Sequence, residues 1–161
     1  MPLGSKLRGL HALGNHNRCS HISKSNDEKG FLPLNFKEIY MTRILYVEDN
    51  EDNIYMLKRW LKRKGFDVSI AEDGQTGVEM AKSEKPDLIL MDLNLPIMDG
   101  WEATSVLKTD AETKDIPIIA LSAHAMTEHK KRALDSGADD YDTKPVDVER
   151  LLSKMNRYLG N

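Results

Sequence analysis

Cysteine occurs once in these 161 residues, at Cys19. An internal disulfide is therefore excluded, which suits a reducing compartment. Long hydrophobic runs are missing too. None approaches the roughly 20 residues that a membrane-spanning helix needs, and the N-terminus lacks the continuous apolar core of a signal peptide. There is no excess of positive charge: 23 Lys and Arg stand against 26 Asp and Glu, for a net −3. A phosphate backbone calls for a basic surface, so nucleic acid is not the expected partner. Repeats and low-complexity stretches are absent as well. The expectation is a cytoplasmic protein that engages neither membrane nor nucleic acid.

What remains is enough for one ordinary domain with some chain left over. At 40% hydrophobic and 30% charged residues, the sequence can build a core and stay dissolved. Its charge is unevenly shared. Residues 1–40 hold six basic and three acidic residues, +3, which leaves 17 and 23, or −6, in 41–161. The first forty residues show no sustained periodicity and are dotted with Gly, Asn, Ser and His. They read as a flexible extension or leader, with Met41 as an alternative start. His11, His16, Cys19 and His21 within it match no zinc-site spacing.

From Thr42 onward, short apolar runs alternate with helical periodicity, the signature of βα units around a parallel sheet. Strands are expected at 43–47, 67–71, 87–91, 117–121 and 139–143. The middle three candidates by hydrophobicity (43–47, 87–91, 117–121) read as continuous apolar runs, as strands covered on both faces do. The second and fifth are weaker, as befits sheet edges. Helices are expected at 52–64, 75–84, 100–109, 125–136 and 148–159, with Asp147 as an N-cap and Gly65 and Gly137 as stops. In the first helix, Ile54, Met56, Leu57, Trp60 and Leu61 share an apolar arc, with Asn53 near its middle. Lys58, Arg59, Lys62 and Arg63 point away, and so does Tyr55, an aromatic on the charged side. The order predicts a flavodoxin-like doubly wound (βα)5 domain over 41–161, strand order 2-1-3-4-5.

In such sheets ligands bind beyond the carboxyl ends of the strands, where the strand order reverses. The stretch DLILMDLNLPIMDGWE (87–102) ends an apolar run on a single acid, Asp92, before the chain breaks into Asn, Pro and Gly. Glu48 and Asp49 follow the first strand, Ser122 follows the fourth, and Lys144 ends the fifth. Three carboxylates brought close repel one another, so their pKa values rise or a cation binds. The set is all oxygen, without His or Cys, which points to a hard divalent ion, Mg²⁺. A lysine and a hydroxyl facing the same point suit the remaining oxygens of a phosphoryl group. In-line attack by a carboxylate on phosphorus fits this set, with Asp92 as the nucleophile.

The elements ILYVEDNEDN, PDLILMDLNLPIMDGWEA, IPIIALSAHAM and GADDYDTKP resemble those of response-regulator receiver domains, over about 42–160. The resemblance implies that Asp92 accepts a phosphoryl group from a phosphohistidine, so the partner would be a histidine kinase or a histidine phosphotransfer protein. It implies that Asp49 binds Mg²⁺ directly, Glu48 through water and Asn94 through its backbone carbonyl. Ser122 would bond the phosphoryl group, Lys144 would pair with it, and Lys144–Pro145 would be a cis peptide. Tyr141 would swing inward as Ser122 moves, switching the surface of helix 125–136, strand 139–143 and helix 148–159. Such a domain catalyses its own phosphorylation and dephosphorylation but is chiefly a signalling switch. With no output domain in the sequence, it would act on an unknown downstream protein as a stand-alone regulator, or as a relay intermediate. Glu48 stands where aspartate is commoner, and Ser122 where threonine is.

Other classes fit less well. A metal-dependent phosphatase of the haloacid-dehalogenase type would carry a second acid where this chain has Asn94. A flavodoxin would need Ser, Thr and Gly in the loop after the first strand, which here reads EDNED. A phosphate-independent interaction module would have no use for the full set of pocket residues. His124 and His129 read as helix-surface residues, and Asn53 as a satisfied polar neighbour of the pocket.

Overall fold

The computed structural model describes residues 41–125 and 127–160. The expected extension 1–40, with His11, His16, Cys19 and His21, lies outside them. The described residues form β1 (Arg43–Val47), α1 (Glu51–Arg63), β2 (Asp67–Ala71), α2 (Gly74–Glu84), β3 (Leu88–Asp92), α3 (Gly100–Thr109), β4 (Ile118–Ser122), α4 (Thr127–Asp135), β5 (Asp140–Thr143) and α5 (Val148–Leu159). All four strand pairings are parallel, in the order β2-β1-β3-β4-β5. The weakly apolar strands, β2 and β5, are the edges, as expected.

Alternation along the strands sorts the core into layers, because successive side chains leave opposite faces. Ile44, Tyr46, Leu88, Leu90, Ile119 and Leu121 pack on one face against Leu57 and Leu61 of α1 and Leu151 and Met155 of α5. Leu45, Val47, Ile89, Met91 and Ile118 face the other way, against α2 and α3. Beneath α4, Leu93, Ala120, Ala133, Ala138 and Tyr141 form a smaller cluster. With these eleven strand residues enclosed between two helical layers, the sheet can present polar chemistry only at its ends.

Caps account for the small differences from the expected boundaries. Asn50 accepts the Asn53 N–H, so α1 begins at Glu51 and not at Asp52. Asp73 and Asp99 accept the N–H groups of Thr76 and Glu102 and start α2 and α3. Asp147 caps α5 as expected, accepting from Arg150 N–H. Strands β3, β4 and β5 each begin one residue later than expected. Asp92 and Ser122 are thus the last residues of their strands, in register with Leu121 and Thr143. α4 starts at Thr127, later than the expected 125, and Ala125 lies outside it. One assignment within α1 fails: Met56 does not join the core but is 70% exposed. At 100° per residue it sits on the shoulder of the buried arc set by Leu57 and Leu61, and none of the described elements packs over it.

Candidate active site

The apolar strands end together, and their terminal polar residues meet. Glu48 continues the β1 ladder for one residue, its N–H donating to Ala71 O at 2.9 Å. Its side chain is buried beside β3 and is the most heavily bonded group in the pocket. Oε2 accepts from Tyr46 Oη at 2.8 Å and from Lys144 Nζ at 2.5 Å. Oε1 accepts from Asn53 Nδ2 at 3.1 Å and from Asn50 N–H at 3.3 Å. Lys144 also reaches Asp92 Oδ2 at 2.9 Å, so one ammonium joins two carboxylates. Its own N–H donates to Ser122 O at 2.7 Å, and Lys144–Pro145 is a cis peptide.

Asp92 is 4% exposed. Burial pushes its carboxyl above the ordinary carboxylate range; Lys144 pulls in the other direction and Glu48 adds to the rise. Its Oδ1 accepts the N–H of Asn94 at 3.3 Å. Burial, aided by the adjacent Glu48, also holds the Tyr46 hydroxyl in its protonated, donating form. Asp49 is exposed, and its carboxylate takes no hydrogen bond from the described residues. Oxygens of Glu48, Asp49 and Asp92 lie within 4.8 Å of one another.

The donor set therefore fits a hard divalent cation. Three carboxylates facing one ammonium leave two negative charges to be balanced, and all available donors are oxygens. Glu48 is already saturated by four protein donors. Asp49 and Asp92 are the carboxylates with room for an ion.

Ser122 is buried at the end of β4, and its Oγ accepts the His124 N–H at 3.1 Å. Tyr141 faces inward under α4, 5% exposed, and its hydroxyl donates to the His124 carbonyl. Ser122 and Tyr141 thus hold opposite sides of the same residue. His124 lies ahead of α4, in the loop, and not on the helix. Its ring stacks on that of His129 at 4.8 Å, and His129 abuts Trp101.

Most expected site residues therefore meet. Glu48, Asp49, Asp92 and Lys144 form one cluster, Asn94 borders it through its backbone, and Ser122 adjoins it through Lys144. Tyr141 is one layer removed. Sequence reading missed two contributors. Tyr46 stands two residues before Glu48 and so projects to the same side, a signal present in the strand period. Gly100 reads in the sequence only as part of the break that follows Asp92. A Cβ there would lie 1.9 Å from Asp92 O and 2.7 Å from Leu93 Cα, so the missing side chain is what lets α3 begin against the backbone of Asp92.

Known proteins resemble this chain. The chain is similar to Protein PilH of Pseudomonas aeruginosa, 43% identical over 120 residues, covering 74% of this chain and 99% of that protein. The polar-differentiation response regulator DivK of Brucella anthropi is 36% identical, over 73% of this chain and 96% of its own length. Among solved structures, the receiver domain of a Pseudomonas aeruginosa sensor histidine kinase, with magnesium coordinated in its active-site cleft, superposes with a TM-score of 0.71. It is 34% identical and covers 76% of this chain and 100% of that one. The family model for the response regulator receiver domain matches residues 44–156, so β1 through most of α5 lie within it, and the chain belongs to that family.

Proposed function

We propose that the protein is a phosphorylation-controlled switch in which Asp92 takes the phosphoryl group of a phosphohistidine. A carboxylate oxygen of Asp92 attacks phosphorus in line. The new O–P bond forms as the P–N bond breaks, and the electron pair of that bond leaves with the imidazole. Asp49, Asp92 and the Asn94 carbonyl would hold Mg²⁺, with Glu48 reaching it through water once Lys144 has left its Oε2, and the ion would neutralise charge on the transferring group. Lys144, already between Asp92 and Glu48, is placed to shift from the carboxylate oxygens to those of the phosphoryl group. The Ser122 hydroxyl would bond a further phosphoryl oxygen. Dephosphorylation reverses the connectivity, with water attacking phosphorus and the carboxylate leaving.

The observation that carries this reading is the convergence of Asp92, Asp49, Glu48 and Lys144 at the carboxyl ends of β1, β3 and β5. Its test is labelling with acetyl phosphate and Mg²⁺, followed by intact mass. The wild type should gain one phosphoryl group and Asp92→Asn none, because an amide is a poor nucleophile. Equal labelling of the variant at its native position would sink the assignment.

The signalling step rests on His124. When Ser122 Oγ turns towards a phosphoryl group it must release the His124 N–H. Tyr141, which holds the carbonyl of the same residue, then loses its fixed partner. The surface of α4, β5 and α5 repacks around that ring, for a downstream protein to read. The donor would approach over a groove of about 380 Å³ that runs from Lys144 between α1 and the β5–α5 segment. Met56, Trp60, Val146 and Val148 line it, and the exposed thioether of Met56 is available to a partner's apolar side chain.

A further inference from the structure

The outer face of α1 carries positive charge that no carboxylate among the described residues balances. Every lysine and arginine of α2, α3 and α5 pairs with a carboxylate. By contrast, Lys58, Arg59, Lys62 and Arg63 form no ion pair among the described residues. α4 shares this lack of pairs, but its Arg132 lies over the Trp101 ring at 4.6 Å, and Glu128 and Asp135 are interspersed on the same helix. On α1 the acids are confined to the first turn, at Glu51 and Asp52. Lys58 and Lys62, like Arg59 and Arg63, are like charges four residues apart, a spacing that destabilises a helix. The helix dipole accounts for Lys62 and Arg63 in the last turn but not for Lys58 and Arg59 a turn earlier.

An exposed aromatic sits within this stripe. Tyr55 is 62% exposed, accepts a hydrogen bond from Arg59 Nη1 at 3.1 Å, and has the guanidinium 5.9 Å from its ring centroid. Tyrosine and arginine are, with tryptophan, enriched among the residues that anchor protein interfaces. The stripe also adjoins the donor groove, because Trp60, which lines that groove, shares a second hollow with Arg63 and Lys64.

We infer that the phosphodonor is a protein whose docking surface carries carboxylates for Arg59, Arg63 and their lysine neighbours. This rests on the reading of Asp92 as phosphoacceptor. At 1.5 Å per residue, Arg59 and Arg63 lie roughly 9 and roughly 15 Å along α1 from Asn53, which bonds Glu48 in the pocket. The donor's acids should stand about that far from its phosphohistidine. A folded protein fits better than a nucleic acid or an anionic bilayer. Asp49, Glu51 and Asp52 at the other end of α1 would repel a surface of uniform negative charge, so the partner has to change sign within one helix length.

The test compares a protein donor with a small one. The protein donor is the phosphorylated kinase or phosphotransfer protein that labels Asp92 fastest in a profile of purified candidates; the small donor is acetyl phosphate. Arg59→Glu/Arg63→Glu should lower kcat/KM for the protein donor about tenfold or more and flatten its salt dependence. Labelling by acetyl phosphate and the circular dichroism spectrum should stay as in wild type. Lys replacement of the matching donor carboxylates should restore transfer to the variant. The inference is overturned if the variant is labelled by the protein donor as fast, and with the same salt dependence, as wild type. It is also overturned if both donors lose equally. Loss of binding to phosphatidylglycerol vesicles or duplex RNA, with transfer intact, would assign the stripe to those ligands and overturn it too. A wild type that neither donor labels would overturn the phosphoacceptor reading along with it.

Discussion

The two sides of the acidic pocket are restrained to very different degrees. On the side of β1, β3 and β5, Glu48 takes four hydrogen bonds, Lys144 joins two carboxylates, and the backbone of Asp92 is pressed by Gly100. On the side of β4 and α4, the side chains of Ser122 and Tyr141 each make a single bond among the described residues, and both bonds go to His124. The neighbours of that residue, Ala123 and Ala125, lie outside any helix or strand and are exposed. The difference suits the proposed function. Groups that stabilise a transition state act best when they are fixed beforehand. A switch has to be movable by a few kcal/mol, within reach of two rearranged hydrogen bonds and one repacked ring.

Breaking the fixed side should have the largest effect. In Gly100→Ala the new methyl would collide with Asp92 O and Leu93 Cα, which are backbone atoms that cannot turn aside. We expect a loss of about 1–3 kcal/mol in denaturant unfolding and slower acetyl phosphate labelling, because Asp92 itself is displaced. Retention of both would show that the clamp on Asp92 is loose.

Tyr46→Phe removes one of the four donors to Glu48 while leaving the ring packed. The cost should be about 1.5 kcal/mol, the low end for a hydrogen bond to a charged group, since three donors remain. Acetyl phosphate labelling should persist at a reduced rate. A larger loss of labelling than in Gly100→Ala would place the restraint on Glu48 and not on Asp92.

The raised pKa of Asp92 makes a prediction about pH, measured without divalent cation. A carboxyl whose pKa is higher in the folded state than in the unfolded chain stabilises the fold while protonated. That contribution is present below the unfolded value of roughly 3.9 and is lost as pH rises through the folded value. Thermal melts should therefore show the wild type losing stability relative to Asp92→Asn as pH increases over that window. A constant difference would mean that Lys144 offsets the burial of Asp92 completely.

Ser122→Ala should change stability least, by less than about 1 kcal/mol, because one hydrogen bond from a loop N–H is lost and that loop is accessible to water. Its effect should appear in the response. The variant should still be labelled at Asp92, but amide shifts from 122 to 145 should move far less on phosphorylation than in wild type. A full response in Ser122→Ala would remove Ser122 from the coupling and leave the loosely held loop without its proposed trigger.

Much of this was legible in the sequence, for identifiable reasons. Runs such as LILM before Asp92 and IIAL before Ser122 are too apolar to lie anywhere but inside a sheet, and each has one polar terminus. Parallel order then puts those termini at the same end. Met56 was misplaced because helical angle alone does not say how far the covering elements extend. Gly100 was underread because a missing Cβ matters only when another backbone arrives in the same space, and Asp92 is eight residues away in the chain. Nor was the shared grip on His124 visible, since Ser122 and Tyr141 reach it from different strands.

Local pattern by itself determined the alternation of strands and helices, the identity of the edge strands and the set of residues carried to the carboxyl ends. These depend on side-chain period and hydrophobicity, which every short segment carries within itself. Only the tertiary structure decided that Lys144 bridges Glu48 and Asp92, that Asn53 and Tyr46 leave Glu48 with no unpaired oxygen, and that Tyr141 lies inward on the His124 carbonyl. The Lys144 and Tyr141 contacts join elements distant in sequence, whereas Tyr46 and Asn53 are near Glu48 in the chain and meet it only once α1 packs on the sheet. The geometry follows from how two helical layers close on the sheet, and no segment encodes that closure alone.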